Sequence, residues 1–309
     1  MIWQSEILLY NFQKLGIANQ LWFSVLYSSR MSGPSKQAKH LADYHSNVRF
    51  YFNDAAHWRD YKAICKPFGV GKLLEDIPEL GHCVFVMDPD IIFTKPIDFT
   101  PEMIRDDLIY GSDTTSYLSF NHFHKDRDVS IEHMTKLCHI VSPSCNIVEQ
   151  YKSAADKHSV VGAQYLFKSV DAAFFFKIAK DSWNMYEYGL VIQKEGNQAQ
   201  IWCMEMMAFL LNSIQRAGVD KVKTSKILDF NWATDNIDEY GKHPICHMAG
   251  VTNNSAQFNK QLYDQSPPWD PRMNDYSYIT NTNTCAQRWL EWIQEYAMFR
   301  YAVRMITPA

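Results

Sequence analysis

The chain has 309 residues, 47% of them apolar and 21% charged, which is enough for one large α/β domain or two modest ones and excludes a disordered chain. Its net charge is −4, and the nearest thing to a basic run is "DKVKTSK" with Lys221, Lys223 and Lys226, so composition carries no footprint of nonspecific nucleic-acid binding. No apolar run approaches the roughly 18 residues of a membrane span, and the N-terminal "MIWQSEILLYNFQKLG" carries Gln and Glu inside it, unlike a signal peptide. The expectation is a soluble, unexported protein. Seven cysteines, at 65, 83, 138, 145, 203, 246 and 285, form no CxxC pair, and an odd count in apolar surroundings fits reduced thiols in a cytoplasm.

In chain order, "SEILLYNFQKLG" has helical apolar spacing and ends on Gly16. "QLWFSVLY" (20–27) predicts a buried strand, and "GPSKQAKHLADYHS" a helix entered through Pro34. "VRFYFND" (48–54) is the next strand, "KPFGVGKLLEDI" a helix, "CVFVMD" a third strand and "LIYGSD" (108–113) a fourth. Strands alternating with helices predict a parallel, doubly wound sheet, with Asp54, Asp88, Asp90 and Asp113 at the carboxyl ends of its strands, where such sheets bind ligands. Beyond it, "HSVVGAQYLFKS" (158–169) predicts a strand and "VDAAFFFKIAKDSWNMYEYG" a helix closed by Gly189. "AQIWCMEMMAFLLNSIQRAG" (199–218) is apolar nearly all round and predicts a buried helix. "ILDFNWATD" and "PICHMAGV" are short strand-and-turn segments, and a long helix closes the chain. With no linker or internal repeat, one composite domain spanning 1–309 is expected.

The chemistry concentrates at "CVFVMDPD". Asp-Pro-Asp after a strand is an ordinary turn signal, but paired carboxylates at a strand end also suit Mg²⁺ or Mn²⁺, which take hard oxygen ligands. His247, after the short apolar run "PIC", is a candidate third ligand, with His243 as second choice. Glu205 lies in the least polar helix, where a carboxylate costs several kcal/mol of desolvation unless it is paired or lines a polar cavity. In "VVGAQY", Gly162 and Ala163 offer close approach to the backbone and Gln164 an orienting side chain, although ordinary strand packing explains them nearly as well.

Together, "WQ" at Trp3 and Gln4, "MDPD" at 87–90 and the W-x-x-E-M-x-A arrangement from Trp202 to Ala208 resemble the metal-dependent, retaining glycosyltransferases of the GT-A fold. The group includes the plant hydroxyproline O-arabinosyltransferases and peptidyl-serine galactosyltransferases. "GAQYL", "FNWATD" and "CHMAGV" look more like its phage and large-virus relatives.

The resemblance implies a Rossmann-like nucleotide-diphospho-sugar transferase fold with a mixed, mainly parallel central sheet flanked by helices. Residues 1–115 would form the nucleotide-sugar half and 116–309 the acceptor side. It implies that Asp88, Asp90 and His247 hold Mn²⁺ or Mg²⁺ against the diphosphate of a nucleotide sugar such as a UDP-sugar, with Glu205 beside the sugar. Gln4, Lys66, Lys72, Asp113, Gly162, Ala163 and Gln164 are weaker candidates for donor binding. The plant enzymes are membrane-anchored and this sequence shows no anchor, so a cytoplasmic acceptor is expected, such as hydroxymethylated pyrimidines of phage DNA. Transfer to protein, glycan or small-molecule hydroxyls competes with that expectation, as does a non-catalytic sugar-binding protein of the same fold. No obligate protein partner is implied.

Overall fold

The computed structural model of the protein describes residues 2–30, 33–53, 60–105, 107–249, 256–264 and 266–306. The elements run α1 (Ile2–Lys14), β1 (Phe23–Tyr27), α2 (Lys36–Tyr44), β2 (Val48–Phe52), α3 (Cys65–Asp76), β3 (Cys83–Val86), β4 (Ile91–Phe93), β5 (Ile109–Asp113) and α4 (Thr115–Leu118). They continue with α5 (Ile131–Val141), α6 (Cys145–Ser153), β6 (Val161–Lys168), α7 (Ala172–Lys194), α8 (Met204–Ala217), β7 (Val222–Thr224), β8 (Phe230–Trp232), β9 (Ile245–His247) and α9 (Cys285–Ile306). Among the described residues, no helix is long and apolar enough to cross a membrane.

The protein is α/β, but its strands do not form the single parallel sheet expected from the alternation. They divide into a parallel pair β1-β2, a four-stranded sheet ordered β3-β6-β5-β7 and a three-stranded sheet ordered β4-β9-β8. β6 inserts antiparallel between β3 and β5, while β5 and β7 are parallel. The physical reason is burial: all eight residues of β6 are buried, so this strand takes a central place with a neighbour on each side.

Two helix boundaries also differ from expectation. Ser35, not Pro34, opens α2, its side chain accepting the Ala38 N–H. α7 runs through Gly189 to Lys194, because that glycine serves packing: a Cβ there would stand 3.0 Å from Ile201 Cγ2 and 3.1 Å from Met204 Cε. One hydrophobic core draws on both halves of the chain, from Leu8 and Phe12 of α1 through Val86, Tyr165 and Phe209 to Ile245. Pairing of β3 with β6 and of β4 with β9 ties residues 1–115 to the remainder. The described cysteines are free thiols.

Candidate metal centre

Asp88 and Asp90 lie in the bend between β3 and β4, so the motif straddles two sheets. β3 is held by β6 through Val86 opposite Tyr165, and β4 by β9 through Ile91 opposite His247. That second register, with the Met248 N–H donating to the Asp90 carbonyl at 2.9 Å, sets the His247 imidazole beside the carboxylates. His247 Nε2 lies 3.3 Å from Asp90 Oδ1 and 3.6 Å from Asp88 Oδ2. One ligand atom from each of the three residues fits within 4.8 Å of the others. Asp90 and His247 are buried, whereas 28% of the Asp88 side chain is exposed, so solvent reaches the cluster from that side. Asp54 lies outside the described residues, and His243 is not part of the group.

Glu205 joins through a lysine. Lys66 Nζ, from α3, stands 3.0 Å from Asp88 Oδ1 and 3.1 Å from Glu205 Oε1, linking the two carboxylates. Glu205 occupies the first turn of α8, where the helix dipole favours negative charge, and its N–H donates to the Tyr61 hydroxyl at 2.7 Å. The same hydroxyl donates to the Trp202 carbonyl at 3.2 Å. Burial lifts the Glu205 carboxyl to about 7 against the opposing pull of Lys66. Burial acts to lower Lys66, but Asp88 and Glu205 outweigh it and hold the ammonium well above its ordinary value. Burial likewise acts to raise Asp90, and His247 with Lys260 outweighs it, leaving this carboxyl well below the usual range.

Lys260 is the residue that sequence reasoning missed. It forms a close ion pair with Asp90 Oδ2 from a short turn 170 positions along the chain. No local pattern in "QFNKQL" marks it. Its ammonium competes with a divalent ion for the same carboxylate, so Lys260→Gln is expected to tighten Mg²⁺ binding about tenfold, read by isothermal titration calorimetry. Unchanged affinity would mean that the ion and the ammonium use different oxygens.

Gln164 supports His247. Ser112 Oγ lies 2.6 Å from both the Gln164 amide oxygen and the Leu228 carbonyl, yet a hydroxyl has one proton to give. The two acceptors share that proton, and the Gln164 amide nitrogen meets His247 Nδ1 at 3.4 Å. That contact orients the imidazole, whose Nε2 faces the two carboxylates. Gln164→Leu is expected to weaken Mg²⁺ binding about 10- to 100-fold, and Gln164→Glu to retain it, by the same calorimetry. A bulge supplies the placement: the β5-β6 register shifts between Gly111 and Ser112, and Ala163 takes φ 58°.

The remaining candidates fall elsewhere. Lys72 pairs with Glu75 one turn further along α3. Asp113 is exposed, its N–H donating to Asp229 and its carboxylate accepting from the Thr115 N–H. Gly162 has no room for a ligand against its backbone, since a Cβ would already meet Thr114 Cγ2 at 2.5 Å. Gln4 is buried in α1, a helix that packs against β4 and α9. A surface depression of about 440 Å³, lined by Lys136, Ile140, Glu187 and Tyr188 among others, holds none of the cluster residues.

No protein-family model, curated protein or solved structure matches the chain. The chemistry of the centre therefore rests on its own donor set. Two carboxylates and one imidazole suit Mn²⁺ or Mg²⁺, the nitrogen leaning toward Mn²⁺, and three protein ligands leave positions for water or phosphate oxygens. The residues present fit such an ion.

Proposed function

We propose that the protein is a metal-dependent glycosyltransferase of GT-A type, moving a sugar from a nucleotide-sugar donor to a hydroxyl acceptor. The observation that carries this reading is the union of Asp88, Asp90 and His247 with the buried Glu205 through Lys66. A bound Mn²⁺ or Mg²⁺ would neutralise charge on the departing diphosphate. Asp88, Asp90 and His247 would hold it, with Asp88 on the side open to donor. Lys66 fixes Glu205 about one ammonium width from the ligands, where a carboxylate stabilises positive charge developing at an anomeric carbon. Tyr61 locks the α8 N-terminus that carries Glu205, so the carboxylate is oriented before substrate arrives. Displaced from Asp90, Lys260 would offer its charge to a phosphate oxygen.

The test is a donor screen. Incubating the protein with Mn²⁺ and a panel of UDP- and other nucleotide sugars is expected to release the nucleoside diphosphate from one of them, and EDTA to abolish the release. If no donor is turned over, with or without saccharide and hydroxymethylated DNA acceptors, the proposal fails.

A further inference from the structure

Trp202 is an exposed indole with 53% of its surface in solvent, and it is rigidly mounted. Its carbonyl is bound by the buried Tyr61, which stacks on Tyr186 with ring centroids 4.4 Å apart, and three residues later the chain reaches Glu205. A continuous line of rings joins this indole to the metal centre. Trp202 lies 5.8 Å from Tyr117, Tyr117 5.8 Å from Trp232, Trp232 4.9 Å from Phe230, and Phe230 5.1 Å from the His247 imidazole. Burial foremost, with Asp88, Asp113 and Glu205 adding to it, pushes the Tyr117 phenol far up.

Carboxylates lead the polar groups beside the aromatic line, with Lys226 and His243 near Asp229. Asp113 is exposed, Asp229 receives its amide N–H, and Asp88 opens to solvent. The cations flanking Trp202 and Glu205 are already engaged. Lys66 pairs with Asp88 and Glu205, and Arg127 lies within 2.6 Å of the Gln200 amide oxygen once that amide is turned toward it. A polyanionic strand brought here would meet the Asp88, Asp113 and Asp229 carboxylates, with Lys226 and Arg127 offsetting them only in part. A neutral ring of C–H groups and hydroxyls fits instead: its C–H face lies on the electron-rich indole face, and its hydroxyls donate to Asp113 and Asp229.

From this geometry we infer that Trp202, backed by Tyr117 and Trp232 and rimmed by Asp113 and Asp229, is a binding platform for a neutral carbohydrate ring, the acceptor of the proposed transfer. The inference rests on the glycosyltransferase reading, because only there does a ring beside Glu205 receive a sugar. It replaces the nucleic-acid acceptor expected from sequence and gives Asp113 an acceptor-side role.

Saturation-transfer NMR on the full chain with Mg²⁺ and UDP tests it, using maltose, cellobiose, lactose and methyl glucosides beside a single-stranded DNA oligonucleotide carrying hydroxymethylcytosine. At least one neutral saccharide is expected to receive saturation at its ring C–H protons. Trp202→Ala is expected to weaken that binding by about five- to tenfold and Trp202→Phe to retain most of it. Calorimetric Mg²⁺ and UDP affinities of both variants are expected to match the parent, since Trp202 stands outside the Asp88, Asp90 and His247 group. No saccharide binding in the parent, binding insensitive to Trp202→Ala, preference for the oligonucleotide, or a parallel loss of UDP affinity would each overturn the platform. Failure here with donor turnover intact leaves the transferase standing. Failure of the donor screen with Trp202-dependent saccharide binding intact removes the transfer and leaves a carbohydrate-binding surface.

Discussion

Replacing Asp90 with Asn is expected to lower Mn²⁺ affinity by at least about 100-fold and donor turnover by at least about 1,000-fold. Asp90 is the buried member of the motif, shared between His247 and Lys260, and an amide presents one neutral oxygen in place of an anionic pair. Its loss also touches stability. The folded-state pKa of Asp90 is depressed, so its contribution is present above the unfolded value near 4 and disappears as pH falls through the folded value. The Asn variant should therefore melt lower than the parent at pH 7 without metal, the difference shrinking as the buffer is made strongly acidic. Asp88→Asn should lose ion binding with a smaller stability change, because this side chain is partly solvated. Asp113→Asn, outside the cluster, is the control expected to keep full Mn²⁺ affinity. Calorimetric titration, nucleoside diphosphate release and thermal melts of the three variants separate these outcomes. A D90N protein that binds Mn²⁺ as tightly as the parent removes the centre from this position.

Glu205→Gln is expected to do the opposite to stability while abolishing turnover. Glu205 has its carboxyl lifted from 4.5 to about 7 by burial, so the fold favours the protonated form. The favourable contribution is fully present below pH 4.5 and is lost as pH rises through about 7. At pH 8 the ionised side chain costs the metal-free fold about 3 kcal/mol. Glutamine matches the protonated acid in size and stays neutral, and Lys66 retains Asp88 as its partner. The variant should gain about 1 to 3 kcal/mol at pH 8 and nearly nothing at pH 4.5, measured by denaturant unfolding in EDTA. Turnover should fall at least about 100-fold with Mn²⁺ affinity little changed. A variant less stable than the parent at pH 8 would show that the Lys66 pair is structural, and that a charged carboxylate is what the fold needs there.

The two aspartates were legible because they sit one residue apart at the end of an apolar run, and His247 because a second short run leads into it. Glu205 stood out by its cost in an apolar helix. Of the two lysines in α3, only Lys66 reaches the cluster, since six residues turn a helix about 240° and carry Lys72 to another face. Lys260 gave no signal because its partner is remote in sequence and its own surroundings are irregular. The strands β3, β5 and β6 were visible from composition, but their order was not. Strands of four or five residues set their neighbours by burial across the whole molecule, and β6 is buried on both faces. "GAQ" looked like a place for ligand to approach the backbone. Thr114 fills that space, and the segment's contribution is the bulge that turns Gln164 to His247.

The bend that carries Asp88 and Asp90 lies early in the chain, but both strands that anchor it pair with much later ones: β3 with residues 161–168 and β4 with residues 245–247. During synthesis the aspartates emerge long before β6 and β9 exist to hold them. The Asp88, Asp90 and His247 set is therefore complete only after long-range strand pairing, the slow kind of contact in such topologies. The last of the three residues that could hold an ion is made only when most of the chain has left the ribosome.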